Sequence, residues 1–129
     1  MKTVILDTNF LLIPAQFKVD IFEEIERIMT TKYKIKIIDK TIGELKNIIE
    51  KQSLKHKSAA RIALQLVKKY KMPEIKTDLS ANVDRLIIET VNKESFIVAT
   101  QDKELKRHLK SKKIPLIILR KKQFLELIP

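Results

Sequence analysis

The chain of 129 residues has no cysteine, no tryptophan, one glycine and two histidines. Without cysteine there are no disulfides, no thiolate metal sites and no cysteine nucleophile. A single glycine, Gly43, excludes the phosphate-cradling and dinucleotide-binding loops, which need several glycines to bring backbone amides close to a ligand. His56 and His108 lie far apart on basic stretches without metal-ligand spacing, so a histidine zinc site is not expected and both read as surface residues. Long apolar runs are also missing. The longest, near Phe10–Leu12 and Pro115–Leu119, fall far short of the roughly 20 residues that span a bilayer. The first apolar run is too short before Asp7 to be a signal peptide. The expectation is a soluble, cytoplasmic protein with no membrane association. Only 5% of residues are aromatic, and Phe10, Phe22 and Phe96 sit in apolar patterns typical of a core, leaving no evident stacking platform for unpaired bases.

Positive charge is what the chain has in excess: +11 net, with a pI near 9.9. Residues 1–45 are balanced, with seven Lys/Arg and seven Asp/Glu, whereas residues 46–71 carry eight against one and residues 103–122 nine against one. Clusters of this sign concentrate polyanions and provide sequence-independent phosphate contacts, which makes nucleic acid the leading partner class over a merely solvated lysine-rich surface. Lys46, Lys55, Lys57, Arg61, Arg85, Lys103, Lys106, Arg107 and Lys110 are the candidate nucleic-acid-binding cations.

At 44% hydrophobic residues, the length fits one domain over 1–129 with a real core. Val4-Ile5-Leu6 has no polar alternation, as expected of a strand buried on both faces in a parallel sheet, and it ends at Asp7. Phe10 to Phe17, interrupted by Pro14, reads as a short helix or turn. Ile21, Phe22, Ile25, Ile28 and Met29 recur at helical spacing, and Tyr33 to Ile38 reads as a second strand. Helices follow from Thr41 and over Ala59 to Tyr70, then a short edge strand at Glu74 to Thr77. The next helix, capped by Ser80 or Asp78, carries Val83, Leu86, Ile87, Thr90 and Val91 on one face. Phe96 to Ala99 is a strand ending at Thr100-Gln101-Asp102. A basic helix on Leu105 and Leu109, a last strand at Leu116 to Leu119 and a short tail at Phe124 to Ile128 complete the pattern. Strands alternating with helices predict an α/β fold with a mostly parallel sheet covered on both faces.

In such sheets ligands bind outside the carboxyl ends of the central strands. With cysteine, histidine and glycine motifs gone, the chemistry falls to carboxylates, and four can converge there. Asp7 ends the first strand, Asp102 follows the Phe96 strand, and Glu44 and Asp84 lie in early turns of their helices. Each has a structural role open to it: Asp102 as a helix cap, Glu44 in a capping box with Thr41, Asp84 as a dipole-complementing acid, Asp7 within its own turn. Gathered together they repel, and a hard divalent cation, Mg²⁺ or Mn²⁺, is the natural counterion. Acids at the centre and lysines around them suit phosphodiester hydrolysis.

Leu6-Asp7-Thr8-Asn9, Glu44-Leu45, Val83-Asp84 with Ile87 and Ile88, Val98 through Leu105, and the closing Ile114-Pro115-Leu116-Ile117 with Arg120 resemble the PIN domain of metal-dependent ribonucleases, over nearly the whole chain. The last of the acidic motifs looks most like the branch associated with small-subunit ribosomal RNA processing and its archaeal relatives, and VapC-type toxins share the four acids. The resemblance implies a three-layer α/β/α sandwich with a five-stranded parallel sheet of order 3-2-1-4-5. It implies Mg²⁺- or Mn²⁺-dependent endoribonuclease activity with Asp7, Glu44, Asp84 and Asp102 as the catalytic, metal-binding set. Thr8, Asn9 and Thr100 match positions that shape the site or orient phosphate. RNA is the implied substrate, with a homodimer and an antitoxin or ribosome-assembly partner as the implied protein contacts. Two departures stand out: Arg85 occupies a position where many relatives have another acid, and Gly43 sits inside a helix beside Glu44, where it provides clearance for substrate or is neutral variation. A Lys- and Ile-rich composition without cysteine hints at a prokaryotic, heat-adapted source.

Two rival readings are open. One is a non-catalytic RNA-binding or assembly module, which predicts salt-dependent RNA binding indifferent to Mg²⁺. The other is a phospho-acceptor receiver domain, which expects a pair of acids after the first strand, where this chain has Asp7-Thr8-Asn9.

Overall fold

The structure is a computed structural model that describes residues 1–78 and 80–129. Val4, Ile5 and Leu6 in strand β1 (Lys2–Leu6) are fully buried, as a central strand requires. Strand β1 pairs in parallel with β2 (Tyr33–Ile38) on one side and β4 (Phe96–Ala99) on the other. Strand β3 (Glu74–Ile75) extends the sheet beyond β2, and β5 (Leu116–Arg120) extends it beyond β4, both in parallel. The expected order 3-2-1-4-5 is present. A sixth strand, β6 (Phe124–Ile128), adds antiparallel to β5 where a tail was expected.

The β5–β6 hairpin turns at Lys121 and Lys122, both left-handed with φ of 53° and 55°, and the Gln123 N–H closes the turn on the Arg120 carbonyl at 3.0 Å. Two consecutive positive φ values suit the twist of a hairpin, but Asn-Gly or Asp-Gly is the usual sequence for them. Two lysines carry no such signal, so the strand is unannounced. Its outer edge is covered rather than open. Glu24 accepts from the Leu125 N–H at 2.9 Å, Arg27 donates to the Leu125 carbonyl at 2.9 Å, and the two side chains pair with each other.

Helices cover both faces. A 3₁₀ turn (Asn9–Leu12), α1 (Ile13–Phe17), α2 (Ile21–Ile28), α3 (Thr41–Lys51) and α4 (Leu54–Lys69) enclose the core on the side of Val4 and Leu6. On the side of Ile5 and Val98, α5 (Val83–Thr90) and α6 (Lys103–Ser111) cover a second core with Leu86, Ile87, Leu105 and Leu109. Among the described residues no helix is long and apolar enough to cross a membrane.

Two local expectations are corrected. Helix α5 is capped by Asn82, whose side chain accepts from the Arg85 N–H at 3.0 Å, not by Ser80 or Asp78. Helix α3 has Lys40 at its cap position, so Thr41 and Glu44 form no capping box. Thr41 is turned inward with Leu45, and its hydroxyl is buried with no hydrogen-bond partner among the described residues. At Gly43 the backbone has no positive φ, and a Cβ would meet no protein atom within 4 Å.

Two stability predictions follow from this helix. Thr41→Val replaces an unpartnered buried hydroxyl with a methyl and should raise stability by about 1 kcal/mol in urea unfolding. Gly43→Ala should also stabilise, by ~0.5–1 kcal/mol, because the conformation is helical and the space is open.

Candidate active site

Strand β1 delivers Asp7 to the carboxyl edge of the sheet, beside the end of β4. The chain leaves β1 toward β2 on one side while β4 returns on the other, so Asp7 stands at the switch point where such sheets open a crevice. The Asp7 N–H still pairs with the Ala99 carbonyl at 3.0 Å, and the Asp7 carbonyl accepts from Phe10 at 3.0 Å to start the following turn. The backbone at this residue is therefore held from both directions.

Its side chain is buried, at 1% exposure. One carboxylate oxygen accepts from the Thr8 N–H at 2.8 Å, and the other from the Thr100 hydroxyl at 2.9 Å. Thr100 is itself fully buried and accepts from the Asp102 N–H at 3.1 Å, so one hydroxyl links the acid of β1 to the loop that carries Asp102. Asp102 caps α6, accepting from the Leu105 N–H at 2.8 Å. Its capping role and its place in the acidic crevice coexist. Gln101 fixes the same loop by accepting from the Leu119 N–H at 2.8 Å, a contact across to β5 that the sequence does not announce.

Glu44 joins three elements. It accepts from the Thr8 hydroxyl at 2.6 Å and from the Val83 N–H at 3.2 Å, the latter at the start of α5. The half-buried Asp84 follows directly. Asp39, at the end of β2, plays a related part that sequence patterning missed. It accepts from the Thr77 hydroxyl at 2.6 Å and the Thr77 N–H at 3.0 Å, and these bonds, with the cation of Lys40, hold its carboxyl down to about 2. That clamp ties the segment after β3 to the rim of the cleft that Asp39 shares with Glu44 and Gly43, a cleft of about 520 Å³.

The electrostatics of the crevice are those of crowded acids. Asp7 is pushed up to about 7, first by burial and then by the charges of Asp84 and Glu44, against the opposing hydrogen bonds from Thr100 and Thr8. Asp84 is also raised, by burial and by the charge of Asp102, while a hydrogen bond with Asp7 works the other way and Glu44 adds to the rise. Among the described residues no three acidic or imidazole side chains form a ready-made cage for an ion. The donor set nonetheless fits Mg²⁺ or Mn²⁺: all oxygen, under mutual repulsion, and of the kind that holds such ions through one or two carboxylates with water and substrate phosphate completing the shell.

The remaining candidates divide. Thr8 and Thr100 lie inside the crevice. Asn9 is exposed and lines a separate shallow cleft with Leu12, Gln16, Ile48, Gln52 and His56. Lys46, Lys55 and Arg61 project from α3 and α4, and Lys103, Arg107 and Lys110 from α6, all exposed, with Lys57 and Lys106 partly covered. Arg85 lies beside Asp84 in a cleft that also contains Asp102.

A doubly wound parallel sheet with carboxylates gathered at its switch point defines a protein of the α/β class with an acidic crevice at the carboxyl ends of its central strands. The chain belongs to the family of PIN-like domains, which matches residues 4–122. It is 36% identical to ribonuclease VapC4 of Methanocaldococcus jannaschii over 98% of this chain and 97% of that one. It is 30% identical to ribonuclease VapC9 of Archaeoglobus fulgidus, over 99% and 92% respectively. The solved structure of the PIN domain endonuclease Utp24 superposes with a TM-score of 0.77 at 26% identity, over 97% of this chain and 90% of that one.

The raised Asp7 carboxyl has a thermodynamic consequence. In the absence of metal the folded state holds a proton that the unfolded chain, at its ordinary 3.8, has released, so stability should fall as pH rises from about 4 to 7 and level off above. In chelator, thermal melting of the native protein should show this decline, and Asp7→Asn should flatten it.

Proposed function

We propose that this protein is a Mg²⁺- or Mn²⁺-dependent endoribonuclease, with Asp7, Glu44, Asp84 and Asp102 as its acidic set. The observation that carries the proposal is the Asp7 carboxylate, raised first by burial and then by the neighbouring acids, yet gripped on both oxygens by Thr8 and Thr100. A fold without a use for this charge would avoid burying it. The ribonuclease names of the two archaeal relatives and the endonuclease title of the superposing structure support the same reading.

Asp7 and Asp84 would hold the ion, with Asp102 near enough to add its charge. When bound, it offsets charge on the scissile phosphate and makes water a stronger nucleophile. The chain's own groups do the positioning. Thr100 orients Asp7 and, through the Asp102 N–H, the cap of α6. Glu44 holds the Thr8 turn against the start of α5, which keeps Asp84 facing Asp7. The exposed cations of α3, α4 and α6 bind the phosphate backbone without reading sequence, so binding should weaken steeply with salt. The VapC names favour a toxin-type ribonuclease that an antitoxin restrains, over a role in ribosomal RNA processing.

Asp7→Asn should abolish metal-dependent cleavage of RNA while leaving salt-dependent RNA binding in place. Added Mg²⁺ should raise the melting temperature of the native protein and not of the variant, because a ligand of the folded state alone stabilises it. RNA binding that is indifferent to Mg²⁺, with no cleavage by the native protein, would overturn the proposal in favour of a non-catalytic RNA-binding module.

A further inference from the structure

The chemistry proposed above uses one wall of the cleft between α5 and α6, that of Asp84 and Asp102, and leaves the rest of it unassigned. Arg85, Ile88 and Glu89 share one face of α5 at helical spacing, and Glu104, Leu105 and His108 share the facing side of α6, with Lys112 just past its end. Between them lies a cavity of about 490 Å³ whose wall includes Asp84 and Asp102. A second cavity, of about 430 Å³, adjoins it along α6 and shares Glu104 and His108. His108 thus lines both depressions.

The walls are not those of a simple phosphate track. Glu89 and Glu104 would repel a phosphate, whereas both can accept from the amino group of a base. Ile88 is half-buried and Leu105 buried, so together they make an apolar floor, and the exposed imidazole of His108 is a flat ring of the kind on which unpaired bases stack. Arg85 and Lys112 are the cations available to the flanking phosphates. An apolar floor, a ring, acceptors and two cations suit a nucleoside with its phosphates, placed next to the reacting bond.

We propose that the α5–α6 cleft seats the nucleotide adjoining the scissile phosphate, its base stacked on His108 and its amino group accepted by Glu89 or Glu104. The inference rests on the ribonuclease reading for its placement beside the bond that is cut. It makes His108 and the two glutamates determinants of substrate preference, favouring bases with an exocyclic amino group over uracil.

The test is fluorescence-anisotropy binding of single-stranded oligoribonucleotides, in chelator, to Asp7→Asn alone and combined with changes in the cleft. His108→Ala should weaken binding about tenfold and His108→Phe should restore it, since a phenyl ring stacks as well as imidazole. Oligocytidine should bind more tightly than oligouridine, and Glu89→Gln with Glu104→Gln should reduce that difference. These side chains are exposed, so melting temperatures should be unchanged. Equal binding by His108→Ala and its parent, failure of His108→Phe to restore, or no preference between the two oligomers would each overturn the seat. Absence of cleavage by the native protein, with this binding pattern intact, would instead refute the ribonuclease reading and leave the nucleotide seat standing.

Discussion

The rest of this structure depends on keeping one carboxylate, that of Asp7, out of water beside other carboxylates. Burial and the charges of Asp84 and Glu44 oppose ionisation, and hydrogen bonds from Thr8 and Thr100 favour it. The hydrogen bonds do not win, so the metal-free site is a place of stored repulsion that a cation can relieve. The same bonds set geometry. Thr100 belongs to the end of β4, so the pairing of β1 with β4 positions the group that holds Asp7 and, through the next turn, Asp102.

Glu44 extends that arrangement to the other half of the molecule. Helices α3 and α5 lie on opposite faces of the sheet, and one glutamate reaches the β1 turn with one oxygen and the start of α5 with the other. The Asp39–Thr77 clamp braces the segment leading to α5 from the far side. Placing four acids at one edge is therefore a cooperative product of the sheet and its crossovers, not of any single motif. The exposed cations of α3, α4 and α6 supply a long-ranged positive field, whereas the negative charge of the acid cluster is local.

Much of the fold was legible because buried parallel strands and amphipathic helices leave strong periodic signals. Val4-Ile5-Leu6, the Ile21 to Ile28 pattern and the Val83 to Val91 face all became the elements they announce. The order of the five parallel strands came with the family resemblance. Strand β6 was missed because two lysines occupy the left-handed turn positions that glycine or asparagine usually marks, and because its edge is held by Glu24 and Arg27, about a hundred residues earlier. The cap of α5 was misplaced because Asp78, Ser80 and Asn82 are all competent caps, and only the chain path selects the last.

By itself the sequence determined the chemistry available: no thiol, no phosphate loop, a surplus of lysine, and carboxylates at strand ends and early helical turns. It also placed Asp7 at the end of the central strand, where the unbroken apolar run Val4-Ile5-Leu6 stops. Only the tertiary structure decided that Asp102 both caps a helix and lines the crevice, that Glu44 bridges two elements instead of closing a capping box, that Thr41 is buried without a partner, and that Asn9 faces a different cleft. The reason is physical. Composition and periodicity fix which face of an element is apolar, but a polar side chain on that element chooses its partner from groups brought near by distant parts of the chain.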